Sequence, residues 1–339
     1  MYHTNIVIKL KFAYICNVKT IQATVVKHTG SHYLLSELPQ WNLFPAVIRG
    51  KVRLQKSSAT NPVAVGDRVV CEVPEGVCET DPALITEVLP RANYVIRKST
   101  NLSRQAHIIA SNLDGVFVVV TLAFPEVKLP FLDRLLVTCE VYGIPVTIVL
   151  NKVDLLREAG AEDVVENFRS IYGKAGYCII ETSAKTGEGI EELRAALAVN
   201  ADGRYGVNLL SGVSGVGKSS IVKALDPSLN PRTAQISLSH LQGRHTTTFY
   251  EMYPLCSGGF IIDTPGIRSF GLLDLEPEEI ALYFPEMLKA SSLCRFTPCT
   301  HTHEPFCAVK AAVDAGDISP ERYNSYLGML EENTKYRTK

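Results

Sequence analysis

The sequence has no run long enough and apolar enough to span a bilayer. Nothing in its 339 residues approaches the roughly 18 consecutive apolar positions a membrane helix needs. Nor is a secretory leader expected from its first residues. The first twenty residues, MYHTNIVIKLKFAYICNVKT, have an apolar tinge, but lysines at 9, 11 and 19 interrupt it and no small-residue cleavage site follows. Residues 1–20 are therefore expected to be an N-terminal extension or the start of a first strand. Charge of one sign is missing too: 34 Lys+Arg against 35 Asp+Glu leave a net −1, which by itself points to no nucleic-acid partner. A disulfide framework is absent as well, because the nine cysteines are odd in number and scattered apart from one cluster near the C-terminus. That usage suits a reducing, cytoplasmic setting. What remains, 46% hydrophobic and 20% charged, is an ordinary soluble chain with material for two or three domains.

The charge is balanced overall but not evenly spread. Residues 1–105 hold 13 basic side chains against 7 acidic, whereas residues 276–339 hold 7 against 10. A polyanion would be sought first at the N-terminal module. There, five short β-rich runs (21–27, 32–36, 46–53, 68–73 and 83–89) alternate with turn signals such as His28-Thr29-Gly30 and Asn61-Pro62. This spacing predicts a small antiparallel barrel of the OB-fold type over residues 21–92. Arg49, Lys51 and Arg53 alternate along the third run and share one face. That face suits an RNA phosphate backbone, or else a solvated basic edge that discourages strand pairing. Residues 93–111 open on a polar, basic stretch, NYVIRKSTNLSR, expected to be a linker.

From Asn112 the pattern changes to alternating apolar strands and helices, which predicts an α/β domain on a parallel sheet over residues 112–275. Its centre is GVSGVGKSS, the stretch Gly212-Val213-Ser214-Gly215-Val216-Gly217-Lys218-Ser219-Ser220. Glycines at this spacing let backbone N–H groups turn inward around phosphates, and the helix that follows adds the positive end of its dipole. Lys218 would reach the β- and γ-phosphates and Ser219 would ligate Mg²⁺. Upstream, Asn151-Lys152-Val153-Asp154 closes an apolar strand. A carboxylate at Asp154 can accept from both N1–H and the exocyclic amine of guanine. Adenine lacks that donor pair, and a buried carboxylate left unpaired costs about 1–3 kcal/mol, at least tenfold in selectivity. Some thirty residues later comes Thr182-Ser183-Ala184-Lys185, where the Ala184 N–H would meet the guanine O6. Downstream of the phosphate loop, Asp263-Thr264-Pro265-Gly266 ends another strand. Asp263 would hold Mg²⁺ through water and the Gly266 N–H would touch the γ-phosphate. Between them lies Gly243-Arg244-His245-Thr246-Thr247-Thr248, whose threonine, Thr247 rather than Thr246, would close on Mg²⁺.

The order of these motifs is rotated: the guanine motifs precede the phosphate loop. A domain whose termini lie together at the surface tolerates such a circular permutation. The permutation sends Asp263-Thr264-Pro265-Gly266, through residues 267–275, straight into the C-terminal module. Loss of the γ-phosphate would therefore be felt there directly. That module carries Cys294-x4-Cys299-x-His301-x5-Cys307 among helical stretches at 278–288, 305–315 and 320–332. Three thiolates and one imidazole make a closed tetrahedral set suited to a structural Zn²⁺. His303, two residues on, competes with His301, which is preferred. Residues 276–339 are thus expected to form a helical zinc module.

With a barrel before the rotated motifs and this cluster after them, the chain resembles the circularly permuted GTPases. It is similar in particular to the ribosome small subunit-dependent GTPase A (RsgA or YjeQ) family, from about Ile21 to Glu332. The resemblance implies a GTP hydrolase, with Mg²⁺ and one structural Zn²⁺, that binds the small ribosomal subunit and its rRNA late in maturation. It further implies a monomer whose turnover the subunit stimulates and couples to release. Ile267 stands where many GTPases place the glutamine that orients water, so the resemblance implies slow intrinsic turnover with that group supplied elsewhere. His245 is the candidate, unless it only holds its loop. Gly215 occupies the position at which some relatives carry a potassium-recruiting asparagine, and that ion is not expected. The alternative reading is a nucleotide-gated RNA-binding scaffold with incidental hydrolysis.

Overall fold

The computed structural model describes residues 18–48, 61–74, 81–98, 106–229, 250–263 and 275–337. The expected site residues Arg49, Lys51, Arg53, His245, Thr247 and Gly266 lie outside the described residues, as do residues 1–17.

Five strands open the chain: β1 (Val18–Thr29), β2 (His32–Ser36), β3 (Phe44–Ile48), β4 (Arg68–Pro74) and β5 (Ala83–Val88). Strand β1 is long enough to serve two partners. Its first half pairs with β4 and its second with β2, with the ladder shifting between Val25 and Lys27. The remaining pairings, β2 with β3, β3 parallel to β5, and β5 with β4, close the ring in the OB-fold order. Val25, Leu35, Val69 and Ile85 fill it and are fully buried. The first strand takes in the last three residues of the expected extension.

The expected linker is structured. β6 (Tyr94–Lys98) and β7 (Ala106–Ser111) pair antiparallel as a separate two-stranded sheet. The basic residues of this stretch conceal Val95 and Ile96, which are buried like Ile108 and Ile109 opposite. A polar network docks the pair on the barrel. Buried Asp67 accepts from Arg91 Nε and Nη2 at 2.6 Å each and from Ser111 Oγ at 2.6 Å. Asn61 bonds both the N–H and the C=O of Ile108 at 2.9 Å.

The α/β domain follows as β8 (Gly115–Val120), α1 (Leu129–Val141), β9 (Val146–Asn151), α2 (Val153–Glu158), α3 (Glu162–Lys174), β10 (Cys178–Thr182), α4 (Ile190–Ala198), β11 (Val207–Ser211), α5 (Lys218–Leu225), β12 (Glu251–Pro254) and β13 (Phe260–Asp263). The sheet runs β10-β9-β8-β11-β13-β12, parallel except for β12. Every residue of β8 is buried, as a strand covered on both faces requires. The chain winds outward from β8 to β10 and then returns to β11, so the winding reverses between β8 and β11. Ligands of open parallel sheets bind at the carboxyl ends beside such a reversal. The barrel joins this sheet at one point: β1 meets β12 with Lys27 opposite Glu251, and the two side chains form a 2.9 Å ion pair. Nearby, Trp41 stacks on Phe260 at a 5.5 Å centroid distance.

The C-terminal module comprises α6 (Pro277–Ile280), a 3₁₀ turn at Ala281–Tyr283, α7 (Pro285–Ser291), α8 (Ala308–Asp314) and α9 (Pro320–Arg337). The stretch expected as one helix over 278–288 breaks before Pro285, whose ring holds Phe284 in extended backbone. The module's core of Phe284, Met287, Val309 and Tyr326 also takes in Val137 of α1. Beside it Arg322, 1% exposed, reaches Asp133 of α1 at 2.8 Å and grips Glu286 of α7 with two nitrogens at 2.7 and 3.0 Å. Tyr172 of α3 donates to the same Asp133 at 3.0 Å. Among the described residues no helix is long and apolar enough to cross a membrane.

Candidate nucleotide site and metal centre

The carboxyl ends of β8, β9, β10, β11 and β13 are Val120, Asn151, Thr182, Ser211 and Asp263, and the expected guanine and phosphate motifs sit at four of these ends. Asn151 draws three of them together. Its buried amide donates from Nδ2 to Val216 O of the phosphate loop at 2.8 Å. Its Oδ1 accepts from Thr182 Oγ1 at 3.2 Å and from Ala184 N at 3.3 Å. Lys152 crosses the same seam. Its ammonium donates to Gly215 O at 2.8 Å and to Phe124 O at 2.6 Å, in the loop after β8. Lys152 holds φ +65°, a left-handed turn that carries the chain from β9 into α2 and sets Asp154 in the first helical turn. Asp154 is 9% exposed and stands 3.8 Å from Lys185 Nζ. Ser183 Oγ accepts from Thr186 N at 3.2 Å, which fixes the turn bearing Ala184 and Lys185.

The phosphate loop has the backbone its glycines permit. Gly217, at φ +97°, lies where any Cβ would run into Asn151 Nδ2, so a side chain there would push the guanine and phosphate motifs apart. Gly212 lies equally close to Val119 O of β8. Helix α5 begins at Lys218, directly after the loop, and Ser219 and Ser220 in its first turn are exposed. Lys218 Nζ donates to Gly212 O, and to Val213 O at 3.2 Å. Burial lowers its pKa, and the charge of Asp263 works in the opposite direction. A partly desolvated ammonium held by carbonyls beside a carboxylate could exchange those weak partners for the oxygens of an anion. Asp263 lies next to Leu210 in the ladder between β11 and β13, one strand from the loop.

Of two further contributions, one stood in the sequence only as the opening residue of its motif and the other had no signal strong enough to single out. Thr182 supports Asn151 from the neighbouring strand end. The loop Thr121–Val127 packs on the phosphate loop, with Pro125 Cδ 3.3 Å from where a Cβ on Gly215 would stand. That loop is closed by Thr121 Oγ1 donating to Pro125 O at 2.5 Å and by Val127 N donating to Thr121 O at 2.9 Å. Its place at the end of the strand adjoining the phosphate-loop strand was the available clue.

At the far end, the ligand atoms of Cys294, Cys299, His301 and Cys307 all lie within 4.8 Å of one another. Cys294 Sγ is 4.0 Å from Cys307 Sγ, and His301 Nδ1 is 3.7 and 3.3 Å from those two sulfurs. His303 is exposed and bonds Thr302 instead. The donor set fits a cation. Burial pushes the Cys299 thiol up to about 12, opposed by the His301 backbone N–H and helped by the Cys307 and Cys294 sulfurs, so its thiolate form calls for positive charge alongside. Burial lowers the His301 pKa, which keeps a neutral imidazole with a free lone pair. The loop is braced from α9, where Tyr323 and Tyr326 donate to His301 O and Thr300 O at 2.6 Å each. This cluster could hold a metal ion.

Comparison with known proteins agrees with the geometry. A family model described as RsgA GTPase matches residues 88–273. The chain is 46% identical over 320 residues to the small ribosomal subunit biogenesis GTPase RsgA of Bacteroides fragilis, covering 94% of this chain and 99% of that one. The chain belongs to the RsgA GTPase family. Among solved structures it is similar to YjeQ from Thermotoga maritima, with a TM-score of 0.73 and 33% identity, covering 93% of this chain and 99% of the other. A second match is YloQ, titled a circularly permuted GTPase, with a TM-score of 0.70 and 27% identity over 94% and 96%. The RsgA fold thus accounts for the barrel, the rotated strand order and the C-terminal cluster together, and the chain is a GTP-hydrolysing enzyme.

Proposed function

We propose that this GTPase works on the small ribosomal subunit and its rRNA late in maturation, that the subunit stimulates hydrolysis, and that hydrolysis is coupled to release. The observation that carries the site assignment is the Asn151 amide, which ties the guanine motifs to the phosphate loop across 65 residues of chain. Asp154 selects guanine, and the amides of Ala184 and of the loop 212–219 orient base and phosphates. Lys218 neutralises charge that spreads over the transferring phosphoryl group. Mg²⁺, held by Ser219, Thr247 and Asp263, supplies further charge neutralisation when bound. His245 orients the attacking water in place of Ile267. Zn²⁺ at Cys294, Cys299, His301 and Cys307 is structural, because four protein ligands leave no open position.

The names of the relatives support the partner, and the alternation of Arg49, Lys51 and Arg53 in the sequence, outside the described residues, supports rRNA as what the N-terminal module meets. Steady-state phosphate release with and without purified small subunits tests this reading. The subunits are expected to accelerate the unsubstituted chain by orders of magnitude and to leave Lys218→Ala near the uncatalysed baseline. Equal rates with and without subunits would refute it.

A further inference from the structure

The loops around the metal centre expose side chains that globular proteins normally bury. Among the described residues, Leu293 is 79% exposed, Phe306 73% and Phe296 44%. Arg295 joins the two rings: its guanidinium carbon lies 5.8 Å from the Phe296 centroid and 5.1 Å from that of Phe306. The backbone at one of these rings is unusual. Phe306 sits at φ +57°, a left-handed conformation rare for an aromatic residue, next to the metal-ligating Cys307. An exposed aromatic ring on a sparsely populated backbone conformation motivates a functional hypothesis.

The charge around this patch is unlike that of the rest of its module. Along the chain from Lys289 to Lys310 the basic residues are Lys289, Arg295 and Lys310, with Lys310 Nζ donating to Thr302 O at 3.2 Å, and the one carboxylate of that stretch is Glu304, which is consumed locally. It accepts from Thr300 Oγ1 at 2.6 Å, Thr300 N at 2.7 Å and Thr302 N at 3.0 Å. The module as a whole is acidic, so this is a local cationic surface with two rings and a guanidinium plane. Unpaired RNA bases stack on aromatic rings and on arginine planes, and their phosphates seek cations. We propose that Arg295, Phe296 and Phe306 form a stacking platform for unpaired nucleotides of RNA. The proposal rests on the reading of this chain as a small-subunit factor and names the chemistry by which its C-terminal module grips that partner.

The test uses the full-length, metal-loaded protein and a fluorescein-labelled ten-nucleotide oligouridine, read by anisotropy. Arg295→Ala and Phe306→Ala are each expected to weaken binding by about tenfold, in line with the loss of one stacked base. Phe306→Trp should restore it, and a duplex RNA of equal length should be insensitive to all three. Metal content and basal GTPase rate serve as checks that the variants fold. Photocrosslinking of 4-thiouridine-substituted oligonucleotide to the unsubstituted chain gives a mutation-free readout, expected to fall on residues 293–307. Unchanged oligonucleotide affinity in the variants, or crosslinks elsewhere, would overturn the platform. So would variants that lose small subunits yet keep the oligonucleotide, since the patch would then be a protein-docking surface. If small subunits fail to stimulate hydrolysis while the platform binds RNA as described, the subunit reading falls and the platform stands.

Discussion

Asp226 shows how a single side chain far from the phosphates secures their loop. It ends α5, the helix that carries Lys218, and accepts from Ser228 Oγ at 2.6 Å, Ser228 N at 2.9 Å and Cys256 N at 3.0 Å. The last of these ties the helix end to the turn between β12 and β13. These bonds, the Ser228 hydroxyl foremost, hold its pKa below the usual carboxylate value even though burial opposes them. The folded-state pKa is depressed, so the stabilisation is complete above the unfolded value near ~4 and disappears as pH falls through the lower folded value. Asp226→Asn should cost about 1–3 kcal/mol at neutral pH. In urea titrations, the gap between the two proteins is expected to close as the buffer is taken down through pH 4 toward the folded-state value. A gap that stays constant would mean the carboxylate's charge is irrelevant.

At the scale of elements, the attachment of α9 to α1 depends on an ion pair buried from water. Arg322 is all but inaccessible, and its guanidinium is shared between Asp133 and Glu286. Removing one partner of such a cluster strands charge in a low-dielectric interior. Arg322→Ala should therefore destabilise the chain by roughly 3–5 kcal/mol. Arg322→Met paired with Asp133→Leu and Glu286→Gln should recover much of the loss in the same denaturation assay. None of this was legible in the sequence, where Arg322 and Asp133 are two charged residues among many, on helices 189 positions apart. The strands and helices themselves were legible, because apolar periodicity is a local property. The misreadings came where a local signal was ambiguous. Val95 and Ile96 were outvoted by basic neighbours, although their buried partners Ala110 and Ile108 lie only a hairpin away. Pro285 divides what periodicity alone would leave as one helix. For the site, the strand-end motifs, Thr182 among them, could be picked out by their fixed spacings, while the Thr121–Val127 loop acts through packing on the phosphate loop and could not.

For the whole molecule, the hairpin of β12 and β13 is the junction of three regions. It lies between the two expected switch segments, and the barrel rests on it through the Lys27–Glu251 ion pair and the Trp41–Phe260 stack. Trp41 is the chain's one tryptophan, so its emission reports on this contact alone. Phe260 opens the strand that ends at Asp263. Exchange of GDP for a non-hydrolysable GTP analogue is expected to shift Trp41 emission or its accessibility to acrylamide. Identical quenching in both states would show that the barrel does not sense the nucleotide.

The same junction bears on how the chain can be divided. In the sheet order β12 is the outermost α/β strand, and β1 of the barrel is what lies against its free side. A fragment cut to begin after the barrel would leave the main-chain donors and acceptors of that flank bare, a template for sticking to its own kind. Such a truncated enzyme should elute as aggregates where the full chain does not. Any loss of turnover it displayed would then reflect self-association as much as the absence of the barrel.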